Sequence, residues 1–169
     1  MNTVPMHPRL IARASKALSD AERLFGVALE VDFVLKRGMG RILGRAHCRW
    51  GSAEGRVTIN ADALLTHPDH IIEETVPHEV AHLVAFALRA DRGHGPAWRR
   101  IARALGCTGQ RLSQVGVLPR GGGYLYRASC GTEVYLSAVM HNRVQRYGQR
   151  RRIRTTGGLI TPEDFIRHV

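Results

Sequence analysis

The tightest constraint on how this chain can fold is the pentapeptide His78-Glu79-Val80-Ala81-His82. On an α-helix, residues four apart lie on one face, so two imidazoles at that spacing can hold a single metal ion. Glu79, one position after the first histidine, can reach a water on that ion and act as its base. The motif therefore asks for a helix that fixes three side chains and stays open to a reactant on one side. Its surroundings supply the helix. Residues 71–88 read as one buried amphipathic segment, with Val80, Ala81, Leu83, Val84 and Leu88 directed to a core, and the helix is expected over about 68–89. Pro77 removes a backbone donor and is expected to kink or restart the helix just before the ligands.

A catalytic zinc takes three protein ligands and keeps one position open. The next histidine is His94, in Asp91-Arg92-Gly93-His94-Gly95-Pro96-Ala97-Trp98. Gly93 and Gly95 allow a tight turn around it, and Pro96 suits the first turn of a new helix running from 96 to about 105. A purely structural zinc site would instead call for four protein ligands, often cysteines. His47, His67 and His70 lack the two-on-one-face spacing and are set aside. Glu73 and Glu74 stand one turn before the motif, as acceptors for a ligand imidazole or as solvent-facing carboxylates. Gly38, Gly40 and Gly44 lie between two strands rather than before a helix, which excludes a phosphate loop.

Thr75-Val76-Pro77-His78-Glu79-Val80-Ala81-His82-Leu83-Val84, followed by Gly93-His94-Gly95-Pro96-Ala97-Trp98, resembles the SprT-like zinc metalloproteases. That family includes the bacterial SprT proteins and the eukaryotic Spartan-type proteases of DNA–protein crosslinks. The second segment matches the family's Gly-His-Gly-x-x-Trp/Phe pattern. The Gly-x-x-His that follows the motif in metzincins is absent. Weaker likenesses lie at Gly55-Arg56-Val57-Thr58-Ile59-Asn60 and at Met140-His141-Asn142-Arg143-Val144. The resemblance covers roughly residues 10–160 and is strongest over 73–98.

Bacterial SprT proteins usually end in a zinc ribbon built from two cysteine pairs. This chain has three cysteines, Cys48, Cys107 and Cys130, and only the last lies in the tail. The first pair is reduced to Ala128-Ser129-Cys130, and the second falls near Thr155-Thr156-Gly157-Gly158, without a thiol. One cysteine cannot build a thiolate site. The expectation is a ribbon-like β region without zinc, packed by Tyr124, Tyr126, Val134, Tyr135, Leu136 and Ile153, and one zinc ion per chain.

The remaining elements follow from periodicity. Leu10, Ile11, Ala14, Leu18, Ala21 and Leu24 mark a helix over 7–25, stopped at Gly26. Strands are expected over 27–35, 42–50 and 56–60, and a short helical turn near 61–65, capped by Asn60 and Asp62. The element order, N-terminal helix, small three-stranded sheet, metal helix and following helix, gives an α+β fold class, and the resemblance implies that it is a zincin-like SprT domain. That core is expected over 1–120. Gly121-Gly122-Gly123 marks the passage to a small, basic, β-rich region over 121–169.

Charge is the second guide to function. The formal net charge is +11, and residues 120–169 hold nine arginines against Glu133, Glu163 and Asp164. A GC-rich genome favours arginine over lysine but does not explain the excess of positive charge. Arg143, Arg146, Arg150, Arg151, Arg152 and Arg154, with Tyr147 and His141, form a candidate surface for single-stranded or irregular nucleic acid. No segment approaches the ~20 apolar residues that span a bilayer. Without a secretory pattern at the start, and with scattered cysteines, the expected location is the cytoplasm, or the nucleoid of a bacterium.

Together these features point to a zinc endopeptidase acting on DNA-associated proteins, the substrate class that the Spartan resemblance implies. His78, His82 and His94 hold zinc, and Glu79 is the general base. Tyr124 and Tyr126 are oxyanion candidates. The strand near Val57–Asn60 is the expected sheet edge for an extended substrate. The alternatives are a non-catalytic or regulatory metal-containing DNA-binding protein and a zinc hydrolase of a non-protein amide.

Overall fold

The computed structural model describes residues 7–111, 115, 123–154 and 156–169. The chain forms two compact units, Met1–Arg111 and Leu112–Val169. The expected boundary at 120/121 lies outside the described residues.

The first unit opens with α1 (Pro8–Phe25). Pro8 occupies the first turn, where a missing N–H costs nothing, and Gly26 ends the helix in the left-handed region at φ 67°. Leu10, Ala14, Ala17 and Ala21 form its buried stripe. Three strands follow: β1 (Glu30–Lys36), β2 (Gly44–Cys48) and β3 (Glu54–Asn60). Their order is β1-β3-β2, with β1 parallel and β2 antiparallel to β3. The third strand is thus the centre of the sheet, not the expected edge. Its alternation explains why. Val57 and Ile59 are fully buried on one face, and Arg56 and Thr58 point to the other. The sequence of β2, Gly-Arg-Ala-His-Cys, has no large apolar side chain for the core face and suits a rim.

Asn60 ends β3 and caps α2 (Ala61–Thr66), its Oδ1 accepting from the amides of Asp62 at 3.0 Å and Ala63 at 3.2 Å. The chain then runs through α3 (Pro68–His70) and one π turn (Ile71–Thr75) into α4 (Val76–Ala87). The π turn is the restart that Pro77 demands. Pro77 cannot donate, and its ring would crowd the carbonyl four residues back, so the widened turn, closed from Val76 N to Ile71 O, accommodates both. Helix α4 ends at Leu88. Arg89 takes the left-handed conformation at φ 54°, and Ala90 N donates to Ala85 O at 2.9 Å.

Helix α4 is the axis of the unit. Val80, Ala81, Val84 and Ala85 pack with Ala17 and Ala21 of α1 and with Trp98, Ile101 and Ala102 of α5 (Pro96–Ala104). On the sheet side Leu83 lies so close to β3 that a Cβ on Gly55 would sit 2.8 Å from its Cδ2.

The second unit contains β4 (Tyr124–Arg127), β5 (Glu133–Leu136), α6 (Ala138–Tyr147), β6 (Arg151–Arg152), β7 (Leu159–Ile160), a 3-10 turn (Pro162–Asp164) and β8 (Phe165–His168). One sheet runs β5-β4-β8, and β6 pairs with β7. Helix α6 is an element that the expectation of a β-rich region did not include. Ser137 caps its start and Gly148, at φ 61°, its end. Only Val144 on it is fully buried, so its apolar periodicity was too sparse to announce a helix. The core here is Tyr126, Ala128, Leu136, Val144 and Ile160, flanked by Tyr124, Val134, Met140 and Ile153, with Tyr135 outside it. All three cysteines are free thiols. In the second unit Cys130 Sγ lies within hydrogen-bonding distance of two hydroxyls, Thr132 Oγ1 at 3.2 Å and Thr156 Oγ1 at 3.3 Å. Ser129 N donates to Leu159 O across the same junction at 2.9 Å.

Candidate metal centre

Helix α4 directs His78 and His82 to one side, and the loop after it returns His94 to them. The Nε2 atoms of His78 and His94 are 3.1 Å apart, as are those of His82 and His94. One ring nitrogen from each of the three lies within 4.8 Å of the others, and this is the only three-residue metal-holding group among the described residues. A tetrahedral ion bound at about 2.0–2.1 Å sets ligand nitrogens roughly 3.3 Å apart, so the donor set fits a first-row metal such as zinc. Burial first, and His94 second, lower the pKa of His78 to about 4. Burial, His78 and His94 lower that of His82 to about 3, against the opposing pull of Asp91. His94 is also lowered, by burial and then by Arg111. Neutral imidazoles offer free lone pairs, the form that a metal requires.

Trp98 forms the floor. Its ring is fully buried and lies 4.7 Å from His78, 5.1 Å from His82 and 4.4 Å from His94, stacked on His82 and edge-on to the other two. Its indole N–H finds no acceptor among the described residues, so the ring serves by its surface, not by its donor.

Asp91 shapes the loop that carries His94, a role that the sequence reading did not assign. Its Oδ1 accepts from Gly93 N at 3.0 Å. That amide, with those of Trp98, Gly95 and Arg92, holds the carboxyl below its usual range. A Cβ on Gly95 would fall on the Asp91 carboxylate, so the second glycine is needed for close approach. An aspartate two residues before a glycine is an Asx-turn signal that could have identified it. The guanidinium of Arg92 lies 4.5 Å above the Trp50 ring and ties this loop to the turn after β2.

Glu79 is only 6% exposed and faces β2, where Ala46 N donates to its Oε2 at 2.8 Å. Burial raises its pKa to about 7, with the Ala46 amide and then Arg45 pulling the other way. Neither carboxylate one turn earlier supports a ligand imidazole in the described contacts. Glu73 pairs with Arg9 and Arg13, and Glu74 accepts from the amide and hydroxyl of Thr108.

The SprT-like family model matches residues 8–116, which takes in α1, the sheet, the three histidines and α5. The chain belongs to the SprT-like family. It is 33% identical over 147 residues to Protein SprT of Pseudomonas paraeruginosa strain DSM 24068 / PA7, covering 83% of this chain and 87% of that one. Against Protein SprT of Pseudomonas fluorescens strain Pf0-1 it is 26% identical over 162 residues, 89% and 94% of the two chains. Against Protein SprT of Vibrio parahaemolyticus serotype O3:K6 it is 27% identical over 134 residues, 76% and 77%. No solved structure matches the chain significantly.

Beyond the region of the SprT-like match lie the tyrosines and the arginine run. Tyr126 is fully buried in the second unit, its hydroxyl 2.8 Å from His141 Nδ1 and accepting from Gln145 Nε2. Tyr124 is half-buried and stacks on His141 at 3.7 Å. Arg143 and Arg146 lie on α6, Arg150 just after it, Arg151 and Arg152 on β6, and Arg154 in the following turn. All are exposed except Arg151, which is half-buried against Met140 Sδ. Among the described residues none of the six forms an ion pair with a carboxylate. No helix among the described residues is long and apolar enough to cross a membrane.

Proposed function

We propose that this SprT-like chain is a zinc-dependent endopeptidase of the zincin type that acts on proteins held on DNA. The observation that carries the proposal is the convergence of three imidazole nitrogens, with the carboxylate of Glu79 buried on the helix that supplies two of them. His78, His82 and His94 would hold the ion. When bound, zinc would supply a Lewis acid for the scissile carbonyl and lower the pKa of a water. Glu79 accepts the proton of the attacking water and later passes it to the leaving amine, a task suited to a carboxylate whose pKa lies near 7. Trp98 keeps solvent from the underside of the ligands. The rim that an extended substrate would join is β2, which borders Glu79, and not β3. Of the two tyrosines proposed for the oxyanion, Tyr124 has the greater exposure, whereas the Tyr126 hydroxyl is engaged. A scaffold without catalysis would have no use for a carboxylate buried beside the ligands, which favours the hydrolase over a regulatory metal protein.

The deciding experiment is Glu79→Gln. The variant is expected to retain one zinc per chain and lose turnover of an unfolded protein substrate by several orders of magnitude. Cleavage at the wild-type rate would remove Glu79 from the reaction. The DNA part of the proposal rests on the unpaired arginines of the second unit. Their phosphate contacts would release counterions, so affinity for single-stranded DNA is expected to fall by about 10-fold or more between 50 and 200 mM salt. Affinity that is flat with salt, by fluorescence anisotropy, would place DNA outside the function.

A further inference from the structure

Gly44 has no conformational need to be glycine, since its φ does not lie in the left-handed region. Its need is for space. A Cβ there would sit 2.7 Å from Glu79 Cγ, 2.8 Å from Glu79 Oε1 and 2.8 Å from the Thr75 Cγ2 methyl. The backbone of β2 therefore rests directly on the Glu79 side chain. Two residues along, Ala46 N–H points out of the sheet and donates to Glu79 Oε2 at 2.8 Å. The same rim thus meets both oxygens of the carboxylate, one through a bare Cα and one through an amide. A glutamate has three side-chain torsions to lose, and a helix alone does not fix them.

We infer that Gly44 is a positioning residue: with the Ala46 amide it clamps Glu79 in the orientation from which the carboxylate meets the attacking water. The inference rests on the proposal that Glu79 is the base, but the clamp itself can be observed without turnover. It assigns the rim of β2 a second task, since the strand that would receive the substrate also holds the base. Gly44 carries no reactive group, and its effect on the reaction is exerted through Glu79.

The test is Gly44→Ala, read by kinetics and by amide exchange in the zinc-free protein. Displacement of a catalytic group by about 1 Å can cost up to about 100-fold in rate, so kcat is expected to fall about 10- to 100-fold with KM nearly unchanged and zinc content at one per chain. In wild type the Ala46 amide should be protected. In Gly44→Ala and in Glu79→Ala it should exchange at least about 10-fold faster. The amides of Arg45 and His47 face β3 in the register Arg45↔Thr58 and His47↔Arg56, and they should stay protected, which separates loss of the clamp from loss of the strand. Thr75→Ser removes one of the three crowded atoms and should partly restore kcat in Gly44→Ala. If Gly44→Ala does not fold, Ala46→Pro takes its place. It deletes the donor at a rim position where proline leaves the ladder to β3 intact, and it should lower kcat in the same way. Wild-type kcat in either variant, or an Ala46 amide still protected in Gly44→Ala, overturns the inference. If the wild-type protein cleaves nothing, the peptidase proposal fails, and the exchange measurement still decides whether the clamp exists.

Discussion

At the scale of single residues the site divides into what spacing announces and what only packing shows. His78 and His82 were legible because a spacing of four puts them on one helical face, Glu79 because it follows the first of them, and His94 because glycines bracket it. Trp98 was visible as a motif residue but not as the floor of the site, since three imidazoles meeting one indole is a tertiary event. That role can be weighed. Trp98→Ala should destabilise the zinc-free protein by about 3–5 kcal/mol, as for other buried aromatic truncations, and should weaken zinc binding by loosening the ligand rings. Trp98→Phe should cost clearly less in both, because the indole N–H has no acceptor to lose among the described residues. Urea denaturation and a zinc titration check both. Equal penalties for the two variants would show that the N–H matters after all.

At the scale of elements, boundaries followed local chemistry where caps are strong. Helix α1 begins at a proline and ends at a left-handed glycine, and α2 begins at the Asn60 cap. Sheet order was not legible, because strand pairing is decided by which segment has the apolar face for the centre. The claim of Val57 and Ile59 on that place is recognisable only beside the small residues of β2. Helix α6 was missed for the opposite reason, having one buried residue and many exposed ones. Helix α1 also carries a pH-sensitive contact. The Asp20 carboxylate, nearly buried, accepts from Lys16 Nζ at 2.5 Å and from Arg23 at 2.8 Å, and these partners hold its pKa below 3.8. A depressed carboxylate contributes stability above its unfolded pKa of about 3.9, and that contribution is lost as pH falls through the lower folded value. Asp20→Asn should therefore lower Tm at pH 7, and the gap to wild type should narrow below about pH 4. A gap that is constant from pH 7 to pH 3 would mean that the carboxylate's charge contributes nothing.

At the scale of the whole chain, the two units differ in how they are held. The first is organised around α4 and its ligands. In the second, one thiol, Cys130, and the hydroxyls of Thr132 and Thr156 meet where the two hairpin turns approach. Metal analysis of protein purified without chelator should accordingly give one zinc per chain, and two would require a second site in the tail. The positive charge was readable from composition, and only the structure shows that, among the described residues, no carboxylate forms an ion pair with the arginines of Arg143–Arg154.

A sheet with an open rim invites a copy of itself to continue the ladder. On β2 the outward amide of Ala46 is already taken by a buried carboxylate, and the strand at Gly44 is pressed against the same side chain. A neighbouring molecule's strand would find the Ala46 amide occupied and could pair only with the rest of the rim, the stretch that the proposed substrate would also use. Glu79 thus shortens the rim open to a second copy as well as serving the proposed reaction, and a variant that loses the carboxylate is expected to self-associate more readily, as sedimentation would show.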